Sequence, residues 1–213
     1  MKRVDSYPAR PFVKWVGGKT QLLEDIKKSL PLDLSQRENM TYVEPFVGGG
    51  AVLFWILQEY PNITRAVIND INAELICAYR VVRSDVENLI MELDRLQSEY
   101  LLCDKNARND YYLAKRERFN SSGKSSLETA SLFIFLNRTC FNGLYRVNSK
   151  GKFNVPHGRY SNPKNVDNDD DFFERLYNVF NIKRVSASRM INSNGDGRGA
   201  ISEIMISNVV NVY

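Results

Sequence analysis

The chain has 213 residues, of which 43% are hydrophobic and 25% are charged, and its formal net charge is +4. These values are typical of a globular protein with one sizeable core, or with a core and a small subdomain. Three scattered cysteines, a single histidine and the lack of a long apolar run argue against a disulfide framework, a histidine-based metal site or triad, and a membrane span. The cysteine pattern and the lack of a signal-peptide pattern at the start predict a cytoplasmic protein with reduced thiols.

The first informative stretch ends in Gly17-Gly18-Lys19-Thr20. A phosphate loop ends in this way but needs a glycine where Val13 stands, so nucleotide hydrolysis is the weaker interpretation. A helix that stops at Pro31 is predicted next, from apolar residues at helical spacing: Leu22, Leu23, Ile26 and Leu30. Lys19 opens this helix, although a helix N-terminus favours negative charge. It is either held for the carboxylate of a ligand or simply solvated.

A strand, a glycine-rich turn and a helix are predicted at residues 42–44, 48–50 and 51–57. A second strand, residues 66–69, ends in Asp70, which lies 20 residues beyond Gly50. Such a unit brings backbone N–H groups to a nucleotide-like ligand and an acid to its ribose. Leu53 replaces the third glycine of the dinucleotide fingerprint, so the pattern favours an adenosine-bearing ligand other than NAD. An ordinary α/β turn with packing glycines is the alternative.

Helical patterns dominate residues 72–136. Asn72 is predicted to cap a helix through Arg83, and Ser84 and Ser125 are each predicted to open a further helix, with Glu87 and Glu128 completing capping boxes. Residues 101–118 are helical in composition but weakly periodic, and residues 120–126 form a polar loop. The predicted buried faces carry Leu89, Ile90, Leu93 and Leu96 in one helix and Leu132, Phe133, Phe135 and Leu136 in another.

The stretch from Thr129 to Val166 contains no Asp or Glu. It contains six basic residues, Arg138, Arg146, Lys150, Lys152, Arg159 and Lys164, and four interleaved aromatic ones, Phe141, Tyr145, Phe153 and Tyr160. Residues 144–155 within it are predicted to form a hairpin with its turn at 149–151. Basic, aromatic and asparagine side chains together are suited to gripping phosphates and reaching base edges. A solvated basic face is the alternative, but the interleaved aromatics favour nucleic acid.

The remaining stretch predicts an acidic helix start at residues 169–171, followed by a buried stripe of Phe172, Phe173, Leu176, Val179 and Phe180. Strands are predicted at residues 182–188 and 201–207, on either side of a polar, glycine-rich loop at 192–199.

Three blocks in this order resemble the Dam-type (D12 class) DNA adenine-N6 methyltransferases. They are Lys-Trp-Val-Gly-Gly-Lys at 14–19, Glu-Pro-Phe-Val-Gly-Gly-Gly at 44–50 with Asn69-Asp70, and the 142–148 block with 153–156 and 158–160. Residues 172–208 resemble the C-terminus of the same family. The resemblance implies an α/β fold with a Rossmann-like sheet and helices on both faces. It further implies a small helical and hairpin DNA-recognition subdomain at 84–168, with the core at 1–83 and 169–213.

The resemblance also implies S-adenosyl-L-methionine (SAM) as methyl donor and double-stranded DNA as substrate. SAM would be bound by Trp15, Gly18, Lys19, Glu44, Phe46, Gly48, Gly50 and Asp70, and DNA by Asn142, Leu144, Arg146, Asn148, Asn154, Arg159 and Tyr160. The adenine would be flipped out of a GATC-type site, and its amino nitrogen would attack the methyl group in line. A monomer without a metal ion is expected, in a Dam-like or restriction-modification setting.

The sequence departs from the family at the catalytic motif. That motif is an Asp-Pro-Pro-Tyr-like tetrapeptide at the end of a central strand, and none of the seven prolines here adjoins another. Asn162-Pro163-Lys164 imitates it in part and is predicted to be a turn, so no catalytic residue is assigned. The sheet is expected to be incomplete, through an internal deletion, a segment outside this sequence or a reduced ancestry. Two functions follow: an active methyltransferase, or a silent remnant that binds SAM or DNA.

Overall fold

The structure is a computed structural model that describes residues 9–159 and, as backbone, two strands at 181–188 and 200–207. Within these residues the chain is a mixed α/β structure with four strands and six α-helices. The strands are β1 (Met40–Glu44), β2 (Ile63–Ile68), β3 (Asn181–Ser188) and β4 (Ala200–Ser207). The helices are α1 (Leu23–Ser29), α2 (Ala51–Glu59), α3 (Ala73–Ser84), α4 (Val86–Leu102), α5 (Lys105–Asn120) and α6 (Ser126–Thr139). Short 3-10 helices occupy Lys19–Leu22, Leu34–Gln36 and Phe141–Gly143.

The sheet combines a parallel pair with an antiparallel pair. β1 and β2 run parallel, with Tyr42 opposite Ala66 and Glu44 opposite Ile68, and α2 connects them. β4 pairs antiparallel with both β2 and β3, which gives the order β1-β2-β4-β3. A parallel pair needs a crossover connection, so α2 places the ends of β1 and β2 side by side. All four predicted strands and the helix after the glycine turn are confirmed, with bounds that differ by a few residues.

Hydrogen bonds at the helix starts confirm two of the predicted caps and correct one. Asn72 Oδ1 accepts from the Leu75 N–H at 2.6 Å, and Ser125 Oγ accepts from the Glu128 N–H at 3.1 Å. The capping box predicted at Ser84 is wrong. Ser84 is instead the last residue of α3, its hydroxyl donates to the Arg80 carbonyl at 2.9 Å, and Asp85 is the N-cap of α4. α3 runs one residue further than predicted because Ser84 can satisfy a carbonyl of its own last turn.

The weakly periodic stretch 101–118 is divided between two helices. α4 ends at Leu102, and Asp104 starts α5 by accepting from the N–H groups of Asn106 and Ala107 at 2.8 and 2.9 Å. The periodicity is weak because the helix breaks at Cys103 and because α5 buries only two residues, Tyr112 and Phe119.

α6 is the most deeply buried helix of the described residues. Nine of its 14 residues are buried, including every residue from 130 to 137, so it has no solvent face along that length. The predicted core residues of α6 are therefore confirmed, as are Leu89, Leu93 and Leu96 of α4, whereas Ile90 is only half-buried. The apolar face predicted at the N-terminal helix is wrong in part, because Leu22 is 51% exposed and α1 has no buried residue. A 3-10 helix precedes α1, and its tighter winding turns Leu22 out of line with Leu23 and Ile26.

The predicted hairpin at 144–155 is a tight loop rather than two regular strands. A single bridge joins Val147 to Phe153, and the Asn148 N–H donates to the Lys152 carbonyl at 2.9 Å. The turn lies at residues 148–151, where the Gly151 N–H donates to the Asn148 carbonyl. The predicted acidic helix at 169–171, its apolar stripe, the turn at Asn162-Pro163-Lys164, the loop at 192–199 and Tyr160 lie outside the described residues.

Candidate functional site

A cavity of about 310 Å³ opens where β1 and β2 end. The segment before α1, the end of β1, the glycine-rich turn and Asp70 form its walls. Seven of the eight residues predicted to bind the donor line it, namely Trp15, Gly18, Lys19, Glu44, Phe46, Gly48 and Asp70. The structure therefore brings two sequence blocks and one isolated acid to a single concave site.

The turn between β1 and α2 depends on glycine at two positions. Gly48 has φ +51°, and a Cβ there would lie 2.9 Å from the Trp15 ring. Gly50 has φ +84°, and a Cβ there would lie 2.5 Å from the Tyr79 hydroxyl. The eighth predicted residue, Gly50, does not line the cavity; it lies behind the turn, against Tyr79 and Phe54. Its requirement for glycine thus comes from packing and backbone conformation.

Asp70 fixes the glycine turn to the start of α3. Its Oδ2 accepts from the Gly48 N–H at 3.0 Å, and its Oδ1 accepts from the Asn72 N–H at 2.9 Å. The Tyr79 hydroxyl donates to the Gly48 carbonyl at 3.0 Å from the other side. Each carboxylate oxygen can accept a second hydrogen bond, so Asp70 retains acceptor capacity toward the cavity.

Glu44 is a buried carboxylic acid in the cavity wall, with 9% of its surface exposed. Burial raises its pKa, whereas a hydrogen bond donated by the Tyr42 hydroxyl at 2.9 Å, the charge of Lys19 and the Leu53 N–H at the start of α2 lower it. Burial is the largest of these effects. The cavity thus contains one buried acid and one exposed lysine that attract each other.

Trp15 forms part of the cavity wall and packs against the helical layer behind it. Its ring lies 5.6 Å from that of Tyr145 and 6.1 Å from that of Phe133, centroid to centroid. The Tyr145 hydroxyl donates to Glu74 Oε2 at 3.3 Å, which ties this stack to the start of α3. The root of the predicted DNA hairpin therefore touches the cavity wall through one aromatic contact.

Asn137 links the same two regions and was not singled out by the sequence. Its side chain is buried within α6; Oδ1 accepts from the Lys14 N–H at 2.8 Å, and Nδ2 donates to the carbonyls of Lys14 at 2.8 Å and Gly143 at 3.0 Å. In the sequence, Asn137 is visible only as an asparagine that follows an apolar run in a helix. Such an asparagine is ordinarily a core residue whose side chain is hydrogen-bonded locally, so the pattern did not indicate a link to Lys14.

The described residues predicted to contact DNA lie mostly on the surface after α6. Four of them are exposed, namely Asn142, Arg146, Asn148 and Arg159, whereas Leu144 and Asn154 are half-buried. The backbone of Asn142 and Arg159 is left-handed, with φ +55° and +56°. Arg146 Nε donates to Asn154 Oδ1 at 2.8 Å, so these two lie together. Asn148 Oδ1 accepts from the N–H groups of Lys150 and Lys152 and holds the loop tip closed.

The sequence model of the D12 class N6 adenine-specific DNA methyltransferases matches residues 15–190. The chain belongs to this family. The matched segment includes most of the cavity lining and the loop after α6, and it reaches into β3 and beyond. The members of this family are enzymes that methylate adenine in DNA at N6.

Three relatives differ in how much of their length this methyltransferase covers. It is 36% identical to the Type II methyltransferase M.MjaIII of Methanocaldococcus jannaschii over 286 aligned positions, which include 93% of this chain and 99% of that protein. It is 44% identical to the Type II methyltransferase M1.LlaDCHI of Lactococcus lactis subsp. cremoris over 74% of this chain and 51% of that protein. With the DNA adenine methylase of Escherichia coli (strain K12) it shares 38% identity over 72% of this chain and 49% of that protein. The chain thus spans about half the length of the last two.

The alignment with M.MjaIII is longer than this chain. It runs over 286 positions, whereas the chain has 213 residues, so dozens of its positions have no counterpart here. Among the residues that the structure describes, no cluster of His, Cys, Asp or Glu could hold a metal ion, and no helix has the length and apolarity to cross a membrane.

Proposed function

We propose that this protein transfers the methyl group of SAM to N6 of adenine in duplex DNA, at a GATC-type site and as a monomer. The observation that carries the proposal is the convergence of Trp15, Lys19, Glu44 and Asp70 on one cavity at the ends of two parallel strands. Nucleotide-like ligands bind at this position in open α/β sheets. The proposal includes a Rossmann-like core at 1–83 and 169–213 and a recognition subdomain at 84–168.

Each cavity residue has a role consistent with its position. Asp70 would accept hydrogen bonds from the ribose hydroxyls with the lone pairs that Gly48 and Asn72 leave available. Lys19, exposed at the start of a 3-10 helix, would meet the methionine carboxylate. Trp15 and Phe46 would cover the apolar faces of the donor, and Phe46 is 75% exposed.

The loop after α6 supplies the surface for DNA. Arg146 and Asn154 form a hydrogen-bonded pair that presents a planar donor group, and Asn148 and Arg159 are exposed beyond it. Such pairs suit base edges and phosphates. The 3-10 helix at Phe141–Gly143 lies against Lys14, which belongs to the segment before α1 that forms part of the cavity wall. Asn142 and Leu144 would therefore lie nearest the flipped adenine. Tyr160, outside the described residues, is retained in the proposed DNA surface.

A second candidate function is supported by what the sequence does not contain. None of the seven prolines adjoins another, and dozens of positions of M.MjaIII have no counterpart in this chain. A chain without the Asp-Pro-Pro-Tyr-like motif lacks the acid and the carbonyl that would grip the adenine amine. On this alternative the protein binds SAM or DNA without turnover.

One set of measurements separates the two candidates. The purified chain is titrated with SAM by calorimetry and then incubated with labelled SAM and a duplex that contains GATC or its permutation GTAC. Methyl transfer to the GATC duplex alone supports the enzyme, whereas SAM and DNA binding without transfer supports the silent remnant. Failure to bind SAM contradicts the enzyme, and failure to bind either SAM or the duplex contradicts both.

Matched variants test the cavity itself. Asp70→Ala should weaken SAM binding roughly tenfold or more, since a hydrogen bond to a charged group is worth about 1.5–3 kcal/mol. Asp94→Ala, at an exposed position of α4, should leave it unchanged. Equal affinities in the two variants would remove Asp70 from the donor site.

A further inference from the structure

A second cavity, of about 710 Å³, lies at the start of α5 and shares no lining residue with the donor cavity. The first turns of α5 form one wall, and residues 157 and 159 form the other. Lys105, Arg108 and Arg159 contribute three positive charges to this lining, and Asp110 contributes one negative charge. The cavity is therefore cationic overall.

His157 forms part of this wall and is the only histidine of the chain. It is 8% exposed, its ring stacks on Tyr112 at 5.1 Å, and its Nε2 lies 2.7 Å from the Tyr100 hydroxyl. The other ring nitrogen, Nδ1, is buried and has no hydrogen-bond partner among the described residues. A buried polar atom without a partner is costly, and such atoms occur in proteins where a ligand or an ion completes the site.

The electrostatics around His157 point to a negatively charged ligand. Burial lowers the pKa of His157, and the charges of Arg159 and Arg108 lower it further. The imidazole therefore lies in a positive potential. Arg108 is held in place by the carbonyls of Cys103 at 3.1 Å and Leu101 at 3.3 Å, with its guanidinium 5.0 Å from the Tyr100 ring centre.

The N–H groups at the start of α5 do not account for an anion site. Asp104 already accepts from the N–H groups of Asn106 and Ala107, so the helix end is capped by the chain itself. The affinity must come from the side chains of Lys105, Arg108 and Arg159 and from the ring of His157.

We propose that this cavity binds a phosphate group, with Lys105, Arg108 and Arg159 around it and the His157 ring as an additional donor. Where the Tyr100 hydroxyl donates to Nε2, the proton of the neutral ring lies on Nδ1, so the buried ring atom without a partner among the described residues is an N–H donor. Donors from two separate elements suit an anion with acceptor oxygens on several sides. The phosphate is either free or, in the case that rests on the proposed function, part of a DNA backbone that passes Arg159. The site does not depend on methyl transfer, because it lies outside the donor cavity.

The single histidine makes the test direct. The full chain, without a histidine tag and with ¹³C-labelled histidine, is titrated with inorganic phosphate at constant ionic strength, with chloride as the balancing salt. We expect a saturable shift of the His157 ring resonances. Lys105→Ala and Arg159→Ala should each weaken the midpoint about fivefold, the effect of one partly exposed charged contact. Lys28→Ala, on the exposed side of α1, should leave it unchanged.

A duplex added to the phosphate-loaded protein identifies the source of the group. If the duplex displaces phosphate and the His157 shift remains, the site binds a DNA phosphate. If the affinity for phosphate does not change when the duplex is added, the site binds a free phosphate compound. Both results support a phosphate site. A shift no larger than that with chloride alone, or one that survives both Lys105→Ala and Arg159→Ala, would overturn the proposal.

Discussion

At the scale of single residues, Gly50 has a backbone conformation and a packing environment that both exclude a side chain. Its φ is +84°, and an added Cβ would lie 2.5 Å from the Tyr79 hydroxyl and 2.8 Å from the Phe54 ring. Gly123 has a similar φ of +75° but nothing within 4 Å of an added Cβ. The two glycines therefore separate the cost of backbone strain from the cost of overpacking.

We expect Gly50→Ala to lower the free energy of unfolding by about 1–3 kcal/mol more than Gly123→Ala, the usual cost of overpacking a well-filled site. Both variants carry the backbone penalty of about 1 kcal/mol. Urea denaturation measures the difference. Equal losses would mean that Tyr79 and Phe54 move aside without cost.

Glu44 gives a pH-dependent prediction. Burial raises its pKa above the ordinary value of 4.5, so the folded protein favours the neutral acid. The unfolded chain then loses this proton at lower pH than the folded one, and the stability contributed by the group is present below its unfolded pKa and lost as the pH rises through the folded pKa.

Glu44→Gln mimics the neutral acid and keeps an acceptor for the Tyr42 hydroxyl. We expect the variant to gain stability over the unliganded wild type as the pH rises from below 4.5 to neutrality. Paired denaturation curves at several pH values measure this gain. A difference that does not change with pH would show that Glu44 titrates normally in the fold.

Some of the residues in and around the two cavities were predictable from the sequence, and others were not. Trp15, Glu44 and Phe46 were expected from the family resemblance, whereas the glycine turn and Asp70 were predictable because glycine spacing and a carboxylate after a strand have direct geometric consequences. Asn137 and His157 were not, since a side chain inside a helix or a loop carries no sign of which distant backbone it will meet. Asn137 bonds to Lys14, 123 residues away in the chain.

At the scale of elements, two serines that resemble each other in sequence occupy different positions in the fold. Ser125 caps α6, whereas Ser84 ends α3 and bonds to its own helix. The sequence signature was the same at both sites, and what distinguished them was whether the preceding helix had already ended.

We expect Ser125→Ala to lower the free energy of unfolding by about 1 kcal/mol, and Ser84→Ala to lower it by less than about 0.5 kcal/mol. Thermal denaturation of the two variants checks the order, and similar losses would contradict the assignment of the caps.

Asn137 of α6 holds two other segments in place, one at Lys14 and one at Gly143. Removal of this side chain leaves the Lys14 N–H and the Gly143 carbonyl without that partner. We expect Asn137→Ala to lower the free energy of unfolding by about 2–4 kcal/mol, because buried polar groups lose their hydrogen bonds. Ser131→Ala, equally buried on α6 but bonded only to its own helix at Glu128, should cost about 1 kcal/mol or less. Comparable losses in the two variants would argue against a tie through Asn137.

The elements themselves were largely predictable, and their pairing was not. Among the residues that the structure describes, apolar spacing and caps predicted five of the six helices closely, since helix ends depend on local hydrogen bonds. The order β1-β2-β4-β3 depends on which edges meet across more than a hundred residues, and nothing in β4 identifies β2 as its neighbour. The loop at 144–155 was expected as a hairpin, but Asn148 and Asn120 use side chains where strands would use backbone. Asn120 Oδ1 accepts from the Phe153 N–H at 2.8 Å.

At the scale of the whole molecule, the cavity proposed for the methyl donor and the proposed DNA surface share a wall. Trp15 lines the cavity and lies 5.6 Å from Tyr145, which belongs to the root of the loop at 144–155. A ligand that orders Trp15 should order that loop as well. On the proposed function, donor and DNA should therefore bind cooperatively, and each should strengthen the other by the same factor.

We expect S-adenosylhomocysteine to strengthen duplex binding by about 1–3 kcal/mol, the usual size of such coupling. Tyr145→Leu should remove most of this coupling, because it breaks the contact with Trp15, whereas Tyr111→Leu on α5, away from the cavity, should not. Duplex affinity measured with and without the nucleoside gives both values. Coupling that persists in Tyr145→Leu would place the connection elsewhere.

The position of Trp15 in the cavity wall means that its fluorescence can report ligand binding. The chain has two tryptophans, and the other, Trp55, packs beside Tyr60 on α2. In Trp55→Phe, all indole emission would come from the cavity wall, between the glycine turn and Tyr145. Quenching or a colour shift on titration would then report occupancy in real time, without labels, and stopped-flow mixing would give the rates of entry and release.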